Sequence, residues 1–437
     1  MTLSIAPSAL ESFAEFESYI NGESKSFLHS LRQNAMASFN ALGLPRSTVE
    51  EWKYTKAASL AHFTYRPHES DFDFDAVEKA VLVERKLLKA KQWLVMVNGR
   101  YFPNLSHVSH EDKVRVGSLR DCFSTHQSCM QSHFAHYVST EKNGLIALNA
   151  AFMNGGIYLH VEKNTTLSET VHLISVSTTE KIDSAFCPRV LAVIGDKSSL
   201  SLVESHVSVG ENSYLSNFVC EVVVGAQSTF KHLRMVKEAP QACHVAHYGI
   251  RQEKGSNYKF WNFSLSGKLV RQEICSDLAG AGAFFNFRGL DIGSDDQHID
   301  TCLLAHHSQP FGTSAQLVKG IFQGRSTGVF NGKIFVCEGA DKTDALQVNK
   351  NLMLSAEAQT FTRPQLEIYA DDVKCAHGAT VGKLDNKALF YLQARGIAKK
   401  EAEIMLAQAF VEEVLDDVDA TFLEVLKKVI RGRLAHA

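Results

Sequence analysis

The segment Ala370–Thr380, ADDVKCAHGAT, holds the side chains best suited to chemistry: a thiol at Cys375 and an imidazole at His377, just before Gly378. Thiolate and imidazole are ligands for iron and zinc, and together they are the nucleophile and base of cysteine hydrolases. No acid follows closely enough to orient the imidazole as the third member of a triad. Leu366, Ile368 and Ala370 alternate with Gln365, Glu367 and Tyr369, which predicts a strand leading to a corner at Asp371-Asp372. Beyond the corner Val373, Cys375 and His377 share one parity, and residues i and i+2 of an extended chain project to one side about 7 Å apart. Both could reach one metal or cluster, yet two ligands leave a tetrahedral or four-cysteine sphere half empty. The residues therefore allow a structural pair packed beside Val373, the reading they favour, or half of a site that a second subunit completes.

Other groups of ligating residues are weaker. His298, His306 and His307 flank Cys302, and Cys243, His244 and His247 form a second group; each residue by itself is expected to be a buried or hydrogen-bonded strand residue. None of the nine cysteines sits in a C-x-x-C pair, as expected of buried thiols in a reducing compartment rather than of a self-contained zinc or iron–sulfur site. The phosphate-binding pattern G-x-x-x-x-G-K-[ST] is missing: Gly332-Lys333 runs into Ile334, and GADKTD has the wrong spacing. No G-x-S-x-G or H-E-x-x-H occurs either. Ser294-Asp295-Asp296 is the nearest acidic cluster for a carbohydrate-cleaving groove, but after Gly293 it reads as a turn.

The elements that must position these residues fall into three zones. Residues 1–106 are expected to be mainly helical: Ser8 and Glu11 have capping-box spacing, and Phe13, Phe16, Ile20, Leu28, Leu31 and Phe39 recur at helical intervals before Gly43-Leu44-Pro45. Residues 107–382 lose that period, and short β-rich runs such as YLHVEK, RVLAVIG and GKIFVCEG alternate with polar turns. Within them Leu167, Leu200, Phe230 and Phe260 recur at 33, 30 and 30 residues, and Phe330 and Phe361 at 31. A constant period near 30 predicts stacked β units, a solenoid rather than a sandwich. Residues 383–437 return to helices, the first capped by Asp385 and ending at Arg395-Gly396, the last finishing in Lys427, Lys428, Arg431 and Arg433.

Bulk composition agrees with a globular chain: 45% hydrophobic and 21% charged over 437 residues, with 45 basic against 48 acidic side chains. The net charge of -3 argues against a general nucleic-acid binder. No apolar run is long enough to span a membrane. Glu11, Glu15 and Glu17 precede the first basic residue, Lys25, which fits neither a secretory nor an organellar leader, so a cytoplasmic location is expected.

The run GVFNGKIFVCEGADKTDALQVNKNLMLS, followed by RPQLEIYADDVKCAHGATVGKLDNKALFYLQARGI, resembles the C-terminal core of the SufB/SufD family, scaffolds of the Suf iron–sulfur cluster assembly machinery. The likeness extends upstream through HIDTCLLAHHSQPFGTSAQLVKGIFQGRSTG, and GLPRSTVEEWKYT is similar to the family's short N-terminal motif. The SufD branch fits better. Its acidic pair followed by Val-Lys-Cys, a small residue and His-Gly-Ala-Thr is reproduced at Asp371–Thr380. SufB-like chains carry a functional cysteine where ungapped extension places Asn349, and an acid where this chain has Gly378.

The resemblance implies a right-handed parallel β-helix core between helical terminal regions, and a non-catalytic scaffold. The implied complex pairs this chain with a SufB-like subunit and two copies of a SufC-like ABC-type ATPase, which docks on the C-terminal helices around Ala398–Arg431. It carries His377, and less firmly Cys375, over as interface ligands for a transient iron–sulfur cluster or iron shared with the partner, with no tightly bound cofactor in the isolated chain. A homodimer through the same β-helix edge is compatible with an uncovered partner surface. The competing expectations are a β-helix enzyme acting on carbohydrate and a purely structural, self-associating solenoid.

Overall fold

The computed structural model describes residues 7–19, 27–65, 72–109 and 113–436. Alternation builds its centre. In strands such as Ser199–Val209, Thr229–Lys237 and Asn257–Ser266, every second side chain points into a lumen and its neighbours point outward. Eight rungs stack, each giving one strand to each of two sheets. The first sheet runs from Ile157–Val161 through Arg189–Ile194, Tyr214–Val224, Ala242–Gln252, Leu269–Leu278, His298–His307 and Thr327–Val336 to Gln359–Ile368. The second runs from Val171–Thr178 through Ser199–Val209, Thr229–Lys237, Asn257–Ser266, Phe284–Gly293, Thr313–Phe322 and Asp344–Met353 to Lys374–Gly382. Rung pairs with rung in parallel, which buries both faces of most strands.

Register makes columns along the lumen. Leu200, Phe230, Tyr258, Phe285, Ser314, Ala345 and Cys375 are partners from rung to rung; so are Leu202, His232, Phe260, Phe287, Gln316, Gln347 and His377. Every member except Cys375 and His377 is buried. Phe230 stacks on Tyr258 with ring centroids 5.2 Å apart, and Tyr258 on Phe285 at 5.7 Å. Burial of each such ring is worth about 1.5–3 kcal/mol, so the ladder is a main source of cohesion.

The expected period is met in kind and corrected in phase. Phe230 is followed in its column by Tyr258, not by Phe260, because the turns between rungs shorten there. Phe330 fills the lumen opposite Thr362, whereas Phe361 pairs with Val329 and stacks outside on Tyr54 at 4.2 Å. The two phenylalanines are not equivalent.

Helices also enter the stretch expected to be β-rich. Leu119–Thr125, Gln127–His133 and Gly144–Phe152 precede the first rung, while Gln92–Val97, in the zone expected to be helical, extends the second sheet beside Val171–Thr178. Gly144–Phe152 is buried at every position, so it has no polar face and shows no helical period. Helices Pro7–Tyr19 and Phe27–Leu42 do form where expected; the Ser8 and Glu11 side chains and Ile20 lie outside the described residues.

An arm from the N-terminal region crosses the outer face of the first sheet. Trp52 is buried over the Arg271 guanidinium, 3.8 Å from its ring centroid. The Thr55 hydroxyl donates to Asp300 and lies 2.9 Å from His298 Nε2, and Glu50 pairs with Arg363. On the outer face of the second sheet, Val203, Leu233, Trp261, Leu290 and Leu317 are covered by Val411, Leu415, Phe422, Leu426 and Ile430 of the C-terminal helices. Asp385 caps helix Asn386–Ala394 through the Lys387 N–H, and Gly396 follows at φ +86°, as expected. No helix among the described residues is long and apolar enough to cross a membrane.

Asp291 faces the lumen, where burial pushes its carboxyl up to about 6 against the donated Thr301 hydroxyl at 2.9 Å. A raised folded pKa stabilises below the unfolded value, near 4, and that contribution is lost as pH rises through about 6. Asp291→Asn should therefore be more stable than the wild type at pH 8, by up to about 3 kcal/mol, and nearly equal to it at pH 4. Urea denaturation at the two pH values checks this; equal differences at both would refute it.

Candidate functional site

Strand Lys374–Gly382 is the last of the second sheet and Gln359–Ile368 the last of the first, so each bonds to the preceding rung along one edge and presents the other bare. Parity puts Cys375 and His377 on the lumen side, opposite Ala345 and Gln347. Their environments differ. Cys375 is half-buried in a small cluster with Ile334, Val336, Ala340 and Ala345, joined by Val373 as the shared parity predicts. Burial, and then the Asp344 carboxylate, raise its thiol pKa. His377 is exposed, although every earlier residue of its column is buried, and no hydrogen bond or ion pair from the described residues holds its ring. It is a lumen residue without a lumen. Beside it on the same strand and with the same parity, Val381 is 52% exposed, apolar area that a lone molecule leaves in water.

The two positions that depart from the SufB pattern are equally defined. Asn349 is buried and donates to the Val318 carbonyl at 3.1 Å, filling an inward position one rung before Ala379. Gly378 has ordinary backbone and nothing within 4 Å of where a Cβ would stand. Packing does not require glycine there.

The other histidine groups are split by strand alternation. His244 points into the lumen, while Cys243 packs outward with Leu145 and Leu148, and His247 sits outward near Glu273 at 3.3 Å. In the lumen the Glu204 carboxylate receives His206 Nε2 at 2.5 Å, His232 Nε2 at 3.1 Å and the Tyr248 hydroxyl. Burial alone would raise Glu204; His206 and His232 instead hold it well below the usual carboxylate range. His206, Glu238 and His244 offer ligand atoms within 4.8 Å of one another, close enough for one divalent ion. Arg234 Nη2, however, lies 2.6 Å from His244 Nε2, and a guanidinium can only donate. That fixes the His244 proton on Nδ1, from which it is given to Glu238 at 2.9 Å. A metal would have to displace this proton beside a guanidinium charge, so the group reads as an internal network, with the buried His206 Nδ1 left unpartnered.

His307 turns inward to Ser314 at 2.9 Å, His298 lies under the N-terminal arm, and Cys302 faces outward between them. Asp296 of the acidic turn is bound by Arg325 through two contacts of 2.7 and 2.9 Å. That cluster is a neutralised corner. Sequence reading missed a further set, Cys337 with His306 and Asp277, because its members are 31 and 29 residues apart. Those separations are one rung each, so the solenoid period was the available signal.

Fold and end face together place the chain among parallel β-solenoid proteins with one uncovered terminal rung. Residues 175–410 match the SUF system FeS cluster assembly SufBD core domain, and residues 4–173 the SufBD protein N-terminal region. The chain belongs to the SufBD family of iron–sulfur cluster assembly proteins. It is 28% identical to an iron–sulfur cluster assembly SufBD family protein of Synechocystis, over 93% of this chain and 91% of the relative. It is also 28% identical to the iron–sulfur cluster assembly protein SufD of Escherichia coli over 90% and 89%, and 26% identical to SufD of Bacillus subtilis over 95% and 94%.

Because His377 makes no internal bond, His377→Ala should change folding stability by no more than about 0.5 kcal/mol. Thermal denaturation of the isolated chain measures it; a larger loss would mean the ring has a structural task.

Proposed function

We propose that this chain is a non-catalytic scaffold subunit that pairs end-on, through its uncovered rung, with a related SufB-like solenoid. One observation carries the reading: His377 stands in a lumen column yet is exposed, because no further rung covers it. A partner that lays its own strands against Lys374–Gly382 and Gln359–Ile368 would satisfy both bare edges and cover Val381. The same step brings the partner's ligands to His377, completing a sphere that this chain cannot fill alone. Iron or a nascent iron–sulfur cluster is the cargo of that shared site. An incomplete set on each side suits a cluster that must be handed on.

His377 is the stronger ligand, being free and exposed. Cys375 is the weaker, since its thiol is half-engaged in the apolar cluster and holds its proton. In the partner's absence a second copy of this chain fits the same edge. The C-terminal helices suit an ABC-type ATPase, whose hydrolysis would drive the assembly. The surface for it is helix Asn386–Ala394, which buries no residue and exposes Phe390 at 72% and Tyr391 at 56%, continued by Met405. Helix Ala420–His436, by contrast, is engaged against the second sheet through Phe422, Leu426 and Ile430. A cytoplasmic setting accords with the unpaired cysteines.

Anaerobic reconstitution of the complex with iron and sulfide, followed by visible absorption, tests the assignment. His377→Ala should still assemble with its partners but form clusters about 10-fold more slowly or worse, and Cys375→Ala should lose less. Wild-type rates in an intact His377→Ala complex would remove His377 from the site.

A further inference from the structure

On the outer face of the first sheet, three consecutive rungs bring together Asp277, His306 and Cys337. Cys337 Sγ lies 3.3 Å from His306 Nε2, and His306 Nδ1 lies 3.1 Å from Asp277 Oδ1. Ser308 supports the carboxylate, donating to Asp277 Oδ1 at 2.5 Å. Burial would raise Asp277, but the His306 and Ser308 hydrogen bonds and the Arg251 charge leave it below the usual carboxylate value, so it is ionised at neutral pH. An ionised Asp277 accepts the Nδ1–H, which leaves Nε2 bare to accept the thiol proton. Nucleophile, base and orienting acid are thus in hydrogen-bond reach in that order. His306 and Asp277 are about one-third exposed and Cys337 is partly exposed, so a small molecule can approach from solvent.

We propose that Cys337 is a thiol-exchange site, activated by His306 and Asp277, that takes up half of a low-molecular-weight disulfide. In the step the sulfur of Cys337 attacks one sulfur of R–S–S–R. The new S–S bond forms as the old one breaks, the thiol proton passes to His306 Nε2, and it then goes to the departing thiolate. Cys337 is oxidised to a mixed disulfide and one R–S group is reduced to R–SH. Displacement at sulfur needs only an available thiolate and a line of approach, whereas acyl transfer also needs donors preorganised for an oxyanion. Burial and the Asp277 charge push the Cys337 thiol up, so at neutral pH it rests as S–H and depends on the imidazole to react.

No other thiol among the described residues lies on an imidazole. Cys122, Cys187, Cys220 and Cys243 are buried, and burial raises Cys275 to about 11 and pushes Cys302 higher still. Cys129 and Cys375 are partly exposed but lack a base. The charge facing the site is Arg251, 4.0 Å from Asp277 and held by Glu253 at 2.7 Å.

The test incubates the full chain with oxidised glutathione at pH 7 and maps each cysteine by mass spectrometry at early times. Cys337 should be modified first. His306→Ala should slow it about 100-fold, as expected for loss of a general base, and Asp277→Asn should slow it in the same direction. The wild-type rate should exceed the His306→Ala rate most at neutral pH, and the gap should narrow as alkaline pH ionises the thiol without help from a base. Near-UV circular dichroism confirms that each variant is folded, and Asp277→Asn serves if His306→Ala is not. Modification of Cys129 or Cys375 ahead of Cys337, or an unchanged rate and pH profile in a folded variant, overturns the proposal.

Discussion

In a solenoid each rung covers the inward face of the one before it, and nothing else does. Every other property of this molecule depends on that constraint. It explains why lumen columns are buried from Leu200 to Ala345 and from Leu202 to Gln347, and why burial stops at the eighth rung. At the opposite end the problem is solved internally, by Gln92–Val97 beside Val171–Thr178 in the second sheet and by Val114–Ser118 beside Ile157–Val161 in the first. One end is therefore closed by the chain itself, and the other is finished only by something else.

The same stacking sets where polar chemistry can exist. Inside, charged groups survive because neighbouring rungs answer them: Glu204 meets His206, His232 and Tyr248, and Arg234 meets Asn262 and Gln272 at 2.7 and 2.9 Å. A buried charge without such partners would cost several kcal/mol, so these groups are coupled to correct register as tightly as the aromatic ladder. Outside, side chains one rung apart meet on an open surface, and there Asp277, His306 and Cys337 retain access to solvent.

How much of this was legible in the sequence follows from the same geometry. Alternation and a period near 30 residues are visible because stacking demands them, and they led correctly to a solenoid. The phase was misread at Phe260 because turn length varies freely while strand register does not. Gly144–Phe152 was invisible as a helix since all its faces are buried. The shared parity of Val373 and Cys375 was readable from two residues' spacing and matches their common cluster. That His377 is exposed was not, because exposure there depends on being in the last rung, a property of the whole stack. Contacts one rung apart, such as His306 with Cys337, lie outside any local window.

The N-terminal arm has a consequence for the order of events during synthesis. Its contacts join residues 243 to 313 positions apart: Thr55 with His298, and Glu50 with Arg363. Trp52 and Tyr54 leave the ribosome early, but Arg271, Asp300 and Phe361 become a surface only after five, six and eight rungs have stacked, respectively. Until then a large indole and a phenol remain without their seats, as contacts of high sequence separation are won late. The arm is thus a latch that can shut only on a nearly finished coil, and its closure reports that the rungs beneath it are in register.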